Sequence, residues 1–261
     1  MSNPSLRYSR AGLRRPGRTG RRWSQTLGTM ACFGASLAAA ATATAASGAA
    51  SPRASVPAVQ QVAVLDYGHL AYRYPRTSSM QKASVLAYRP ITGQPTTLPV
   101  LAQTTSRTGQ LWLKVMLPGR PNSSTGWIKR AGTRQRATPW YIHVSLASRR
   151  VFVYHSGQLT RSFSVVVGKP STPTPTGTFF VEETVIMDAS RPGGPYALAL
   201  SARSNVLQEF DGGPGQIAIH GRDGLGGTPG QGESHGCIRL MTSDIAWLAV
   251  RILPGTRVTI T

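Results

Sequence analysis

Cys237 is the residue of this chain best suited to nucleophilic chemistry, and two histidines stand near it: His220, 17 residues upstream, and His235, two residues upstream. A thiol attacks a carbonyl as its thiolate, yet a free cysteine (pKa ~8.5) is only slightly ionised near neutral pH. A neighbouring imidazole can take the proton and later return it to a leaving amine. Residues two apart in an extended segment point to one side, so His235 can lie beside the thiol. His220 ends the short apolar run Gln216-Ile217-Ala218-Ile219 and so comes from a different strand or its edge. Both imidazoles remain candidate bases on this ground. The intervening residues 221–233 include Gly224, Gly226, Gly227, Gly230 and Gly232. Such a loop can rim a cleft and let backbone approach a substrate closely. Backbone N–H groups around Gly236 and Cys237 could face a developing oxyanion. His220, His235 and Cys237 are also zinc-ligand types, but the His-x-Cys spacing and the missing fourth ligand argue against a metal, and no cofactor is expected.

The lone thiol gains weight from the rest of the chain. There are two cysteines, Cys32 and Cys237. Residues 1–22 carry seven arginines, the first 65 residues contain no Asp or Glu, and residues 27–46 are free of charge and built largely from Ala with Thr, Leu, Met, Phe and Gly. A basic start, a short apolar stretch and small residues at Ala43-Thr44-Ala45 describe a secretory signal peptide, expected over residues 1–46. Its removal takes Cys32 away and leaves Cys237 without a disulfide partner. If it is kept, about 20 apolar residues are enough for a membrane anchor. Either way the remaining chain is expected outside the cytoplasm, in the cell wall or periplasmic space. Losing the seven arginines moves the formal charge from +20 to +13. That balance favours anionic partners. Export argues against nucleic acid and points to wall polymers with their carboxylates and phosphates.

The elements that must hold these residues read as mostly β. Residues 47–60 are an Ala/Ser/Pro/Val/Gln linker. From residue 61 to 136, short β-rich pieces separated by Gly, Pro, Asn and Ser predict a small barrel or sandwich. The run Leu111-Trp112-Leu113-Lys114-Val115-Met116-Leu117, followed by Thr125-Gly126-Trp127-Ile128, predicts a hairpin with alternating apolar positions. It resembles the Src-homology-3-like barrels that accompany bacterial wall enzymes. Residues 130–138 lack an apolar period and read as a junction. A second β-rich block runs over 137–261, with alternation in Tyr141–Leu146, Val151–Tyr154, Leu159–Val167 and Thr178–Ile186. One helix is predicted after Thr242 or Ser243 as cap, with Ile245, Leu248, Ala249 and Ile252 on one face and Pro254-Gly255 as its stop.

Taken together, Ile219-His220-Gly221 and Ser234-His235-Gly236-Cys237-Ile238-Arg239-Leu240 resemble the motifs of the L,D-transpeptidases of bacterial peptidoglycan. Thr172-Pro173-Thr174-Pro175-Thr176-Gly177-Thr178-Phe179 is similar to that family's Thr-Pro-x-Gly-x-Phe signature. The likeness covers roughly residues 139–261. It implies a catalytic β-sandwich with one main helix, with Cys237 as nucleophile and His220 as general base and acid. Gly221 matches the position whose carbonyl orients the imidazole, a position that is serine in some members. Ser234, His235 and Gly236 match the positions that shape the site and place the oxyanion donors. Arg239 matches a position thought to steady the site or a substrate carboxylate. Tyr196 and Ser201 are candidates to line the cleft, with a core-facing strand as the alternative for both.

The resemblance further implies the reaction. A stem tetrapeptide is the acyl donor, its terminal D-alanine leaves, a thioester forms on Cys237, and an amine of another stem resolves it as a 3→3 crosslink. Water or a D-amino acid can replace that amine. Carbapenems acylate the thiol in similar enzymes. Rival readings are a wall-peptide cysteine hydrolase or carboxypeptidase, a sortase, and a non-catalytic wall-binding protein. The common wall peptidases place Cys before His, the reverse of this order, and the Leu-x-Thr-Cys context of sortases is absent.

Overall fold

The structure is a computed structural model that describes residues 56–210 and 212–261. The expected leader with Cys32, and residues 47–55 of the expected linker, lie outside the described residues. The described residues fall within one compact unit, and none of their helices is long and apolar enough to cross a membrane.

Seven strands come first: β1 (Gln60–Leu65), β2 (His69–Tyr72), β3 (Gln81–Val85), β4 (Thr97–Thr105), β5 (Leu111–Met116), β6 (Thr125–Lys129) and β7 (Thr133–Thr138). They form one antiparallel sheet in the order β3-β2-β6-β5-β4-β1-β7. The expected hairpin is β5–β6, with Leu113 opposite Ile128 and Val115 opposite Gly126. Leu113, Val115 and Ile128 meet Ala63, Leu65 and Leu98 in a closed apolar core. Residues 133–138 depart from the expected junction. They are a strand, paired with β1 from Gln60↔Thr138 to Leu65↔Thr133. Only Thr138 of β7 is buried, so an edge strand forms by backbone pairing alone and leaves no alternation to read. Gln60, expected at the end of a linker, opens β1 opposite Thr138, with its buried side chain donating to Trp140 O at 2.7 Å.

The second block contains β8 (Trp140–Ser145), β9 (Arg150–His155), β10 (Gln158–Ser164), β11 (Val167–Gly168), β12 (Gly177–Ile186), β13 (Tyr196–Arg203), β14 (Gln216–Gly221), β15 (Gly232–Ser234), β16 (Ile238–Leu240), α1 (Thr242–Ala249) and β17 (Arg257–Ile260). Eight of these strands form a mixed sheet ordered β10-β9-β8-β17-β12-β13-β14-β16, and β11 pairs with β15 beside it. The β8–β17 and β14–β16 neighbours are parallel. Helix α1 buries Ile245 and Leu248, and Ile252 joins the same core just past the helix end. Its N-cap is Met241, with no side-chain cap bond, rather than Thr242 or Ser243. The Thr242 hydroxyl donates instead to the Asp223 carboxylate, which ties the helix start to the glycine-rich loop.

Strand β12 serves both cores. Phe179 and Val181 face the core of the eight-stranded sheet, while Phe180 between them enters the core of the seven-stranded one. A strand's period of two produces this split. Beyond Phe180, Glu182 is fully buried and pairs with Arg89 and Arg203, and Glu183 accepts from the Thr92 N–H and hydroxyl. Charges removed from water in this way must be paired. The architecture is mostly β with one main helix, as the sequence pattern predicts.

Candidate active site

Two parallel strands carry the site. Ile219 of β14 lies beside Ile238 of β16, and His220 lies beside Arg239. Ile217, Ile219, Ile238 and Leu240 belong to the apolar core. Alternation therefore turns His220, Arg239 and, one step earlier, Cys237 to the opposite face. There they line one cavity of about 360 Å³ together with His235.

Cys237 is the free cysteine of the described residues, and it is half-buried. Its Sγ lies 4.0 Å from the Gln216 carbonyl oxygen and beside the Ala218 N–H. Burial pushes the thiol pKa up, against smaller downward pulls from that N–H and from the Arg239 cation. His220 Nδ1 lies 2.6 Å from the Gly221 carbonyl oxygen. A carbonyl only accepts, so Nδ1 carries the proton and Nε2 is the basic nitrogen. Burial lowers the imidazole pKa to about 4; the Gly221 carbonyl pulls it back up and Arg239 lowers it further. The resting pair is therefore a neutral thiol and a neutral imidazole. They share the cavity without a hydrogen bond to each other, an arrangement that often tightens only once substrate is bound.

The glycine at 221 has a local cause. Its N–H donates to Gly193 O at 2.9 Å, and a Cβ there would stand 2.2 Å from Gly194 O. The backbone of residues 193–194 occupies the space that a serine side chain would need. The turn before Cys237 is braced from within and from behind. Buried Ser234 donates its hydroxyl to Cys237 O at 2.6 Å and accepts the Gly236 N–H at 3.1 Å. The Gly236 amide is thus committed inside the turn, and its φ of +120° suits glycine. Thr172 donates to Ser234 O at 3.2 Å, Thr174 to Gly236 O at 2.8 Å, and the Lys169 N–H to Ser234 O at 3.0 Å. Thr174 also accepts the Gly168 N–H at 2.9 Å. The Thr-Pro segment is a buttress of the cysteine turn.

The other predicted residues divide. Exposed His235 reaches the cavity and stacks on Phe210, with ring centroids 5.7 Å apart. Arg239 is buried, donates from Nη1 to Leu225 O at 3.1 Å, and leaves Nε without a partner. Tyr196 packs against the apolar core and is not among the cavity's residues; its neighbour Ala197 pairs with His220. Ser201 is buried and accepts the Phe180 N–H, so the core-facing alternative holds for it. Sequence reasoning missed Leu207, Phe210 and Leu225, which give the cavity apolar sides. The available signal was a set of large apolar residues inside glycine-rich turns, where no core explains them.

A thiol and an imidazole near the ends of paired parallel strands thus line one cavity. Residues 139–260 match the family described as YkuD, L,D-transpeptidase catalytic domain. The chain is 30% identical over 149 residues to YkuD of Bacillus subtilis, covering 56% of this chain and 73% of that protein. It is 31% identical over 111 residues to L,D-transpeptidase 1 of Mycobacterium tuberculosis, covering 40% of this chain and 43% of that protein. Similar solved structures include LD transpeptidase LdtMt1 in complex with imipenem (18% identity, 78% of this chain and 82% of that one, TM-score 0.39). Another is the catalytic domain of the Enterococcus faecium L,D-transpeptidase acylated by ertapenem (25% identity, 47% and 96%, TM-score 0.36). The chain belongs to the YkuD family of L,D-transpeptidase catalytic domains.

Proposed function

We propose that this protein is a peptidoglycan L,D-transpeptidase working through a thioester on Cys237. His220 Nε2 takes the thiol proton as sulfur attacks the carbonyl of the third residue of a stem tetrapeptide. The developing oxyanion faces the Cys237 N–H, because the Gly236 N–H is held by Ser234. Collapse breaks the amide bond, and His220 returns the proton to the departing D-alanine amine. The amine of a second stem then attacks the thioester, loses its proton to His220, and leaves Cys237 as thiol. Arg239, whose side chain lines the cavity beside Cys237 and His220, holds a substrate carboxylate. The thioester keeps acyl reactivity without a nucleotide, which suits an exported enzyme acting on anionic wall polymers. Residues 61–136 are read as an accessory barrel and 137–261 as the catalytic domain, with membrane contact only through a retained leader.

The observation that carries this reading is the convergence of His220, Cys237 and Arg239 on one cavity. Incubation with a carbapenem followed by intact-mass measurement tests it. One adduct, absent in Cys237→Ala, supports acyl transfer; an unmodified protein argues for a binding role. Defined stems with and without an amine acceptor then separate a transferase from a hydrolase.

A further inference from the structure

The cavity has an outer wall that its own sheet does not hold. After β13 ends at Arg203, the chain leaves the sheet through residues 204–210 and returns through 212–215 into β14, bringing Leu207 and Phe210 to the cavity. The arms meet where the Ser204 N–H donates to Gly215 O at 2.8 Å, and the turn is fixed where the Leu207 N–H donates to Ser204 Oγ at 3.0 Å. Phe210 and Gly213 bond each other across the tip, Phe210 stacks on His235, and further ties come from the far sheet. The β5–β6 hairpin projects Arg120, whose Nη2 donates to Ser204 O at 2.7 Å and Leu207 O at 3.2 Å, while Nη1 donates to Pro214 O at 2.8 Å. Asn122 grips the strand end from both sides: it accepts the Arg203 N–H and donates to Arg203 O, each at 2.8 Å. Ser123 donates to Thr178 O at 3.0 Å and anchors the hairpin on β12.

We propose that Arg120, aided by Asn122, is a positioning residue of the active site, through which the seven-stranded sheet sets the wall that receives the substrate. Only a planar guanidinium offers the fork of donors needed to reach three carbonyls on two arms at once. Each of those carbonyls would otherwise satisfy itself with water, and the wall would sample several placements. The cavity's apolar side over Cys237 would then be lost for part of the time, while the thiol and imidazole, held by β14 and β16, would stay where they are. The seven-stranded sheet thereby acts on substrate fit and not on the reacting groups. The kinetic consequence rests on the transferase reading; the structural one does not.

The experiment uses the full chain with Arg120→Ala and Arg120→Lys. Hydrogen exchange comes first. In Arg120→Ala, amides of residues 204–215 are expected to exchange about tenfold faster, with those of β8 and β17 unchanged. Kinetics with a stem tetrapeptide comes second. KM is expected to rise about tenfold with kcat within about twofold, the signature of lost substrate placement. Cys237 alkylation by iodoacetamide should keep its wild-type rate. Arg120→Lys, a single point donor, should recover only part of both effects. Unchanged exchange at 204–215, exchange accelerated evenly through the molecule, or full recovery by lysine each overturns the proposal. A wild type inert toward stem peptides sinks the transferase reading, and the exchange result still decides this one.

Discussion

Neutrality of both partners is the distinctive property at the residue scale. Burial raises the Cys237 thiol and lowers His220 to about 4, so no thiolate–imidazolium pair is stored before substrate arrives. Alkylation of Cys237 by iodoacetamide should therefore keep rising above pH 9, with no step near the ordinary histidine value of ~6.5. A step near pH 6.5 would mean a preformed ion pair. The same burial has a linkage consequence. Between pH ~6.5 and about 4 the unfolded chain binds a proton at His220 that the folded chain refuses, so this residue costs stability as pH falls through that window. Urea midpoints at pH 4.5 and 7 should differ less in His220→Gln than in the wild type. That Cys237 and His220 reach one cavity was legible, because residue type and the end of a short apolar strand mark both positions. The unpartnered buried Nε of Arg239 and the committed Gly236 amide were not, because each depends on which neighbours the fold brings close.

Among the elements, the Thr-Pro segment has the clearest task. Thr174 joins the Gly168 N–H to Gly236 O, so a single hydroxyl spans from β11 to the cysteine turn. Thr174→Val keeps the shape and leaves two inward polar groups without that partner. The expected cost is about 1–3 kcal/mol in urea unfolding, with a fall in the carbapenem acylation rate at 25 °C. Wild-type stability together with wild-type acylation would show that the segment merely passes nearby. Elements with a buried face were readable: the β5–β6 hairpin and the Ile245/Leu248 helix show their periods in sequence. Strand β7 was hidden because its partner, β1, lies almost seventy residues away and its own side chains face water. The helix start was misread because Thr242, a good cap by type, is drawn to Asp223.

At the scale of the whole molecule the question is whether two sheets make two units. Their cores are separate, yet Phe180 of β12 is 1% exposed inside the far core, and the Glu182–Arg89–Arg203 cluster crosses the same boundary. The sequence could not announce this, since Phe179-Phe180-Val181 reads simply as an apolar run and only its alternation between two cores separates the three roles. A strand shared in this way couples the stability of both sheets. In the wild type, native-state exchange should give one opening free energy for the slowest amides of Leu113 and Ile128 and for those of Val144 and Val258. Phe180→Ala removes a large side chain from a closed core, which costs about 3–5 kcal/mol. If the sheets unfold together, that loss must appear at all four amides alike, although two of them lie in a core that Phe180 does not enter. A loss confined to Leu113 and Ile128 would separate the sheets and leave the β5–β6 hairpin able to detach from the active-site wall on its own.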